Sequence, residues 1–210
     1  MLRRQFGLLG LACLASVAFL AAVPGQAAPL SGDALASALK QGGYVILMRH
    51  TSSPAAVPDK SAANPDNTKP ERQLDKNGET TAAALGAAVK KLGITVGDVL
   101  SSPTYRALQT VKFAGIGTAK TFEELGDGGT SMAPATVAAW ASWLKTKVAE
   151  APRAGTDTFI VSHMPNIAAA FPDDAKALAD GEALVFHPDG KGGAELVAHV
   201  KIEEWPQLAH

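Results

Sequence analysis

The chain has 210 residues, of which 47% are hydrophobic and 19% charged, and its formal net charge is −1. This balance is typical of a globular protein with a real core, and it gives no indication of nucleic acid or an acidic membrane surface as a partner. The only cysteine is Cys13, so neither a disulfide nor a cysteine-based metal site is expected.

The first 27 residues have the pattern of a secretory signal peptide. Arg3 and Arg4 form a basic start, residues 6–23 are almost wholly apolar, and small residues then supply a cleavage site. A retained single-span anchor is the alternative, although Ala, Gly and Ser dilute the apolar run. Removal of this segment leaves 17 basic and 20 acidic side chains, a formal charge of −3. We therefore expect a signal peptide over 1–27, one domain over 28–210, and a periplasmic or secreted protein without a stable membrane span after cleavage.

Helix and strand patterns alternate along the rest of the chain. They predict, in order, a helix from Ser31 to Gly42, a strand over 44–48, a helix over 79–92, a strand over 98–100, a helix capped by Ser102 that ends at Phe113, a strand at 121–122, a helix over 134–148, a strand over 158–161 and a hairpin of 183–186 with 195–202. The polar loop over 52–75 is long for a compact domain. Continuous apolar strands that alternate with helices indicate the α/β class, as a single domain with a mostly parallel central sheet, helices on both faces and a C-terminal β-hairpin.

Cations and imidazoles follow three of the predicted strands. Arg49 and His50 come after the first strand, Arg106 lies one turn beyond the second, and His163 follows another buried strand. Ligands bind outside the carboxyl ends of the strands in open α/β sheets, so these side chains are expected to meet at one edge. Such a positive cluster is costly unless an anion neutralises it, and Arg and the helix start after Ser102 suit phosphate. The pattern therefore predicts a phosphate pocket.

Imidazole in a phosphate pocket indicates catalysis as well as binding. A neutral ring nitrogen can attack phosphorus while the cations hold the equatorial oxygens. The sequence contains neither a Walker-type loop nor a cluster of Asp and Glu at these strand ends. Covalent catalysis by histidine is therefore favoured over metal-assisted hydrolysis, and neither a metal nor a cofactor is expected.

Four motifs follow one another in a fixed order: Arg49-His50, RQLDKNGETTAAALG at 72–86, VLSSPTYRALQTV at 99–111 and VSHMPNIAA at 161–169. Together they resemble the histidine phosphatase superfamily, in its small phosphoglycerate-mutase-like branch. The resemblance covers roughly residues 44–187. It implies that His50 is the nucleophile that becomes phosphohistidine, and that Arg49, Arg106 and His163 bind the transferring phosphoryl group.

Two positions differ from the family pattern. Thr51 stands where the family usually has Gly, and Ala56 stands where mutases commonly have an Asn that touches phosphate. A β-branched residue after His50 narrows the backbone options, but its hydroxyl adds a hydrogen-bonding group. Arg72 is expected to replace the lost phosphate contact, with a solvated loop charge as the alternative.

The general acid is expected just after the third predicted strand. The reaction needs a carboxyl that gives a proton to the leaving oxygen and then activates water. The branch often has a Glu there, and the stretch TFEELGDGG offers Glu123, Glu124 and Asp127. Alternation along a strand turns Glu123 and Glu124 to opposite sides, and Glu124 fits best, two residues after Phe122. Glu123 and Asp127 are the alternatives.

These residues predict an exported, metal-independent phosphatase that acts through a phosphohistidine on phosphomonoesters or related phospho-compounds. A mutase of phosphoglycerate type fits less well, because its substrate is cytoplasmic. A non-catalytic periplasmic module that binds a phosphate ligand or a partner on the same fold is the alternative. The expected partner is a small phosphorylated substrate, selected by the loop over 52–75 and the turn over 126–133.

Overall fold

The structure is a computed structural model that describes residues 29–128 and 132–209. The predicted signal peptide lies outside these residues. Within them, no helix is both long and apolar enough to cross a membrane.

Helices and strands alternate in the described part of the chain, as the sequence predicts. The helices are α1 (Gly32–Gln41), α2 (Lys76–Leu92), α3 (Tyr105–Ala114), α4 (Pro134–Ala149), α5 (Met164–Ala170) and α6 (Trp205–Leu208). The strands are β1 (Val45–Arg49), β2 (Val96–Ser101), β3 (Ala119–Thr121), β4 (Asp157–Ser162), β5 (Ala183–Pro188) and β6 (Ala194–Val200).

The six strands form one sheet in the order β3-β2-β4-β1-β5-β6. Strands β1 to β4 are parallel, whereas β5 runs antiparallel to β1 and forms the C-terminal hairpin with β6. This topology confirms the predicted α/β class with a mostly parallel sheet. It places the carboxyl ends of β1, β2 and β4 side by side at one edge.

Both faces of the sheet are covered by helices. Ile46 and Met48 face a core built with α1, α2, α3 and α6, while Val45 and Leu47 face a second core with α4 and α5. All four side chains are fully buried. Because burial of one such side chain stabilises the fold by roughly 1.5–3 kcal/mol, β1 is anchored from both sides next to the predicted pocket.

Two helix starts differ from the prediction. The carboxylate of Asp75 accepts a hydrogen bond from the Gly78 amide at 2.7 Å, so α2 begins three residues earlier than its apolar periodicity indicates. Helix α3 begins at Tyr105 with Thr104 as its N-cap, so the prediction of Ser102 as the cap is wrong. The Ser102 hydroxyl instead accepts from the Thr104 amide at 3.2 Å, just ahead of the helix.

The segment after β3 also differs from the prediction. The strand ends at Thr121, and Glu123–Leu125 form a turn of 3-10 helix. Side chains in such a turn do not alternate between two faces, so the argument that separated Glu123 from Glu124 does not apply.

Candidate active site

The predicted pocket residues meet at the carboxyl end of the sheet. Arg49 and Ser162 are the last residues of β1 and β4 and lie opposite each other in the ladder. Beyond the strands, the His50 amide donates to the Ser162 carbonyl at 3.0 Å, and the Ser102 amide donates to the Val161 carbonyl at 2.9 Å. Three strand ends are thus hydrogen-bonded together, and they bring Arg49, His50 and His163 to one place.

Arg106 lies between the two histidine rings. Its Nε donates to His50 Nε2 at 3.2 Å, and its Nη2 donates to His163 Nδ1 at 3.1 Å. The ring centroids of the two histidines are 5.2 Å apart. A guanidinium only donates hydrogen bonds, so both contacted ring nitrogens carry lone pairs.

The hydrogen bonds of His50 define its tautomer. Its Nδ1 lies 2.8 Å from the Thr51 carbonyl, which can only accept, so Nδ1 carries the proton and Nε2 carries the lone pair. Burial lowers the pKa of His50 to about 4, and the charges of Arg106 and Arg49 add to the decrease. The ring is therefore neutral near pH 7, with Nε2 directed at Arg106.

His163 is neutral for the same reasons. Its side chain is only 1% exposed, and burial, followed by the charge of Arg106, lowers its pKa far below the ordinary value. Since Nδ1 accepts from Arg106, Nε2 carries the proton and donates to the Ser102 hydroxyl at 2.9 Å. The Ser102 hydroxyl that does not cap α3 thus orients this ring instead.

Arg49 is held by the segment before β5. Its Nη1 donates to the Leu178 carbonyl at 2.8 Å, and its Nη2 lies 2.7 Å from the Asp180 carboxylate. Its buried Nε finds no hydrogen-bond partner in the described part of the chain, so one donor of this guanidinium is left unsatisfied. Sequence reasoning missed Asp180, because this residue belongs to none of the four motifs.

Asp127 is the other carboxylate beside the pocket. It forms an ion pair with Arg106 Nη2 and lies 3.8 Å from His163 Nδ1, while its side chain stays 49% exposed. From the sequence alone, an external anion is expected to neutralise the guanidiniums. The structure places the carboxyl groups of Asp180 and Asp127 against the guanidiniums of Arg49 and Arg106, so groups within the protein already contact them.

Arg72 links the two ends of the long loop over 52–75. Its Nε donates to the Pro54 carbonyl at 2.7 Å, and its Nη2 donates to the Ser53 carbonyl at 3.0 Å. Burial, followed by the charge of Arg106, lowers the pKa of this guanidinium, so Arg72 lies within electrostatic reach of the pocket. Two nitrogens of the Arg72 guanidinium are thus bound to loop carbonyls, and the predicted contact of Arg72 with phosphate stays a prediction.

The two main candidates for the general acid occupy different positions. The carbonyl of Glu124 accepts from Asn166 Nδ2 at 2.7 Å, which fixes the backbone of the turn. The carboxylate of Asp127, in contrast, contacts Arg106 directly. The assignment of the acid to Glu124 stays a prediction, and Asp127 is the member of the group whose carboxylate contacts the pocket.

The first amide of α3 does not face the pocket. The Tyr105 amide donates to Glu71 Oε2 at 3.0 Å, so a loop carboxylate satisfies it. This amide is therefore occupied, and the predicted contribution of the helix start to phosphate binding stays a prediction for its other amides. Across residues 29–128 and 132–209, no group of three or more His, Cys, Asp and Glu side chains is arranged to hold a metal ion.

Fold and pocket together define an α/β protein with an Arg-His site at the carboxyl edge of its sheet. No protein-family model and no curated protein matches the chain. Solved structures do match. The protein histidine phosphatase SixA complexed with tungstate is 19% identical, with a TM-score of 0.55 over 77% of this chain and 98% of the other.

Two further solved structures show the same likeness. A mutant phosphoserine phosphatase from Entamoeba histolytica in complex with phosphoserine is 16% identical, with a TM-score of 0.52 over 76% of this chain and 98% of the other. The product of an open reading frame of Mycobacterium tuberculosis is 17% identical, with a TM-score of 0.52 over 74% and 96%. The chain therefore has the fold of the histidine phosphatases, as the four motifs imply.

Proposed function

We propose that the chain is an exported phosphatase that transfers a phosphoryl group from a small phosphorylated substrate to His50 and then to water. The observation that supports this most directly is the Arg106–His50 hydrogen bond, because it leaves the lone pair of Nε2 unprotonated. A neutral, oriented imidazole beside several guanidiniums is what nucleophilic attack on phosphorus requires.

In the first step, Arg106 Nε gives up its hydrogen bond to His50 Nε2, the freed lone pair attacks phosphorus, and the bond to the leaving oxygen breaks. The leaving oxygen takes its proton from a carboxyl of the turn over 123–127. Arg49 Nε, Arg106 and Arg72 hold the equatorial oxygens, for which Arg106 exchanges its contact with Asp127. The phosphorylated ring is positively charged, and its Nδ1–H stays bonded to the Thr51 carbonyl, which stabilises that charge.

In the second step, water attacks phosphorus, the nitrogen–phosphorus bond breaks and His50 becomes neutral again. The carboxylate left by the first step takes the proton of the water, so the same group serves in both directions. Structural neighbours whose names include histidine phosphatase and phosphoserine phosphatase support this class of activity.

Export is a separate part of the proposal. It rests on the basic start, the apolar run and the small-residue site of residues 1–27. Fractionation of cells that express the whole chain, with N-terminal sequencing of the product, tests it. A product that keeps Met1 and stays in the cytoplasm would contradict export while leaving the phosphatase proposal intact.

The activity is tested by phosphate release from a panel of phosphoesters, with and without EDTA. We expect release that EDTA does not change, because guanidiniums take the place of a metal at the phosphoryl group. Loss of activity in EDTA with recovery on addition of a divalent ion would contradict the mechanism. Tungstate binding without turnover of any ester would favour the non-catalytic binding module instead.

A further inference from the structure

Thr51 directs its side chain away from the pocket. The residue is fully buried, its amide donates to Thr110 Oγ1 at 3.1 Å, and its own hydroxyl lies 3.2 Å from the same oxygen. Thr110 Oγ1 in turn donates to the Arg106 carbonyl at 3.0 Å. Because that bond uses the only hydroxyl proton of Thr110, the Thr51 hydroxyl is the donor in the contact between the two threonines.

These contacts join the two halves of the proposed reaction centre. Thr51 is bonded covalently to His50, and Thr110 lies one helical turn beyond Arg106 on α3. Arg106 Nε then reaches back to His50 Nε2, which closes a ring of four residues. The backbone of Arg106 is therefore linked to the residue after His50 on the buried side, while its guanidinium contacts the His50 ring directly.

The backbone of Thr51 accommodates a β-branched side chain without strain. Among the residues that the structure describes, only glycines have a positive φ. Thr51 is thus in a conformation that suits ordinary residues, and glycine at this position would only add conformational freedom.

We propose that Thr51 is a positioning residue, which through Thr110 holds His50 Nε2 and Arg106 in the alignment needed for attack on phosphorus. This inference rests on the phosphatase activity proposed above. The hydroxyl faces α3, so Thr51 does not bind the phosphoryl group itself. Loss of the hydroxyl should therefore lower the rate of phosphoryl transfer while oxyanion binding is retained.

The test compares Thr51→Val, which keeps the shape and removes the hydroxyl, with Thr51→Ser, which keeps the hydroxyl. For an aryl phosphate we expect kcat to fall about tenfold in Thr51→Val, since small misalignments of reacting groups are costly. We expect tungstate affinity to change less than about twofold, and Thr51→Ser to recover most of the rate. The Thr51→Val, Thr110→Val double variant should be no slower than the slower single variant, because both changes break one chain of contacts.

Thr156→Val is the matched control. The Thr156 hydroxyl donates to the Arg153 carbonyl at 2.8 Å near the start of β4, at the other end of the sheet. Its removal should leave kcat unchanged. A parent-like kcat in Thr51→Val, or an equal loss in Thr51→Ser, would overturn the proposal.

A second readout does not depend on turnover. The ¹⁵N signal of His50 Nε2 reports its contact with Arg106, and we expect this signal to move in Thr51→Val and to stay in Thr156→Val. An unmoved signal in Thr51→Val overturns the positioning role even in an active protein. If the parent chain hydrolyses no ester but the signal still moves in Thr51→Val, the positioning contact is supported and only the proposed function is contradicted.

Discussion

Arg106 is the central residue of the pocket, because it contacts three of its other side chains. One guanidinium, only 4% exposed, contacts His50, His163 and Asp127 at once. Burial is the main reason that the pKa values of both rings are lowered, and Arg106 adds to the effect, because a cation beside a histidine opposes a second positive charge. The arrangement holds an unprotonated imidazole next to a guanidinium, as the proposed mechanism requires.

His50→Ala should abolish phosphate release, since the nucleophile is lost. His50 is also more enclosed than its place at a strand end suggests: the residue is 3% exposed, and its ring is hydrogen-bonded to the Thr51 carbonyl and to Arg106. We therefore expect a loss of stability of about 2 kcal/mol as well, from a cavity and broken hydrogen bonds.

The measurements are phosphate release, trapping of phosphohistidine by rapid quench, and urea unfolding. His50→Gln, which fills more of the space, should be equally inactive with a smaller loss of stability. Residual turnover in both variants would show that another residue is the nucleophile.

Asp127→Asn should slow the hydrolysis of esters with poor leaving groups much more than that of an activated aryl ester. A good leaving group departs without receiving a proton, so only the poor ones depend on the acid. Glu124→Gln is the matched variant from the same turn, and the ratio of kcat/KM values for the two esters is the measurement. If the selective loss occurs in Glu124→Gln instead, the acid is the residue that the sequence analysis assigns.

At the scale of elements, α2 and α3 approach each other at Gly86. A Cβ on this residue would lie 1.7 Å from the carbonyl oxygen of Ala114, the last residue of α3. A backbone atom cannot yield as a flexible side chain does, so the two helices would have to separate. Since α3 carries Arg106, the packing of the two helices at Gly86 also affects the position of the guanidinium relative to the sheet.

Gly86→Ala should therefore destabilise the fold by about 2 kcal/mol or more, although alanine is the better helix former by about 1 kcal/mol. Urea unfolding measures the difference. The control is the reverse change at the exposed neighbour, Ala87→Gly, which should cost about 1 kcal/mol through helix propensity alone. A stabilised Gly86→Ala variant would mean that the helices do not touch at this point.

Strongly patterned elements could be predicted from the sequence, whereas helix α5 and the 3-10 turn after β3 could not. The apolar runs of β1 and β4 and the periodicity of α2 and α4 are independent of the rest of the chain. The seven-residue helix α5 has too few turns to show a period, and the 3-10 turn Glu123–Leu125 gives no pattern at all.

The same division holds for the site. Arg49, His50, Arg106 and His163 could be predicted because each follows a recognisable strand within a motif. Asp180 could not, because it reaches Arg49 from the irregular segment before β5. The neutral state of both imidazoles also depends on tertiary burial, which no local pattern encodes.

At the scale of the whole molecule, titratable groups are buried at both ends of the sheet. Asp157 begins β4 at the end opposite the pocket, where its Oδ1 accepts from the Tyr44 amide at 2.9 Å. Burial raises the pKa of Asp157 to about 7, while burial lowers the pKa of His50 to about 4. The contributions of these two groups to the free energy of unfolding therefore change with pH in opposite directions.

The signs follow from proton counts. The unfolded chain binds more protons at His50 and His163 than the folded chain does, so these rings make stability rise as pH rises from about 4 towards 6.5. The folded chain keeps a proton on Asp157 that the unfolded chain has lost, so this group makes stability fall as pH rises from about 4 to 7. The two trends partly cancel in the parent chain.

Asp157→Asn should remove the part of the stability that decreases as pH rises. We expect its free energy of unfolding, relative to the parent, to increase steadily between pH 4 and pH 8, as measured by urea unfolding at four pH values. Asp173→Asn, at a side chain that is 89% exposed, should show no such trend. An equal pH dependence in Asp157→Asn and the parent would show that the buried carboxyl is ionised throughout.

The central place of β1 in the sheet has a consequence for synthesis. This strand is made early, but both of its neighbours come late: Tyr44 finds its partner Asp157 only 113 residues further on. At roughly 5–20 residues per second, a ribosome needs on the order of ten seconds to provide them. Until then the four apolar residues that precede Arg49 lack the strands with which they pair. His50 likewise lacks its arranged contacts with Arg106 and Ser162. A nascent or truncated chain thus exposes apolar surface and lacks an arranged pocket, and the proposed hydrolysis requires the C-terminal half of the sheet.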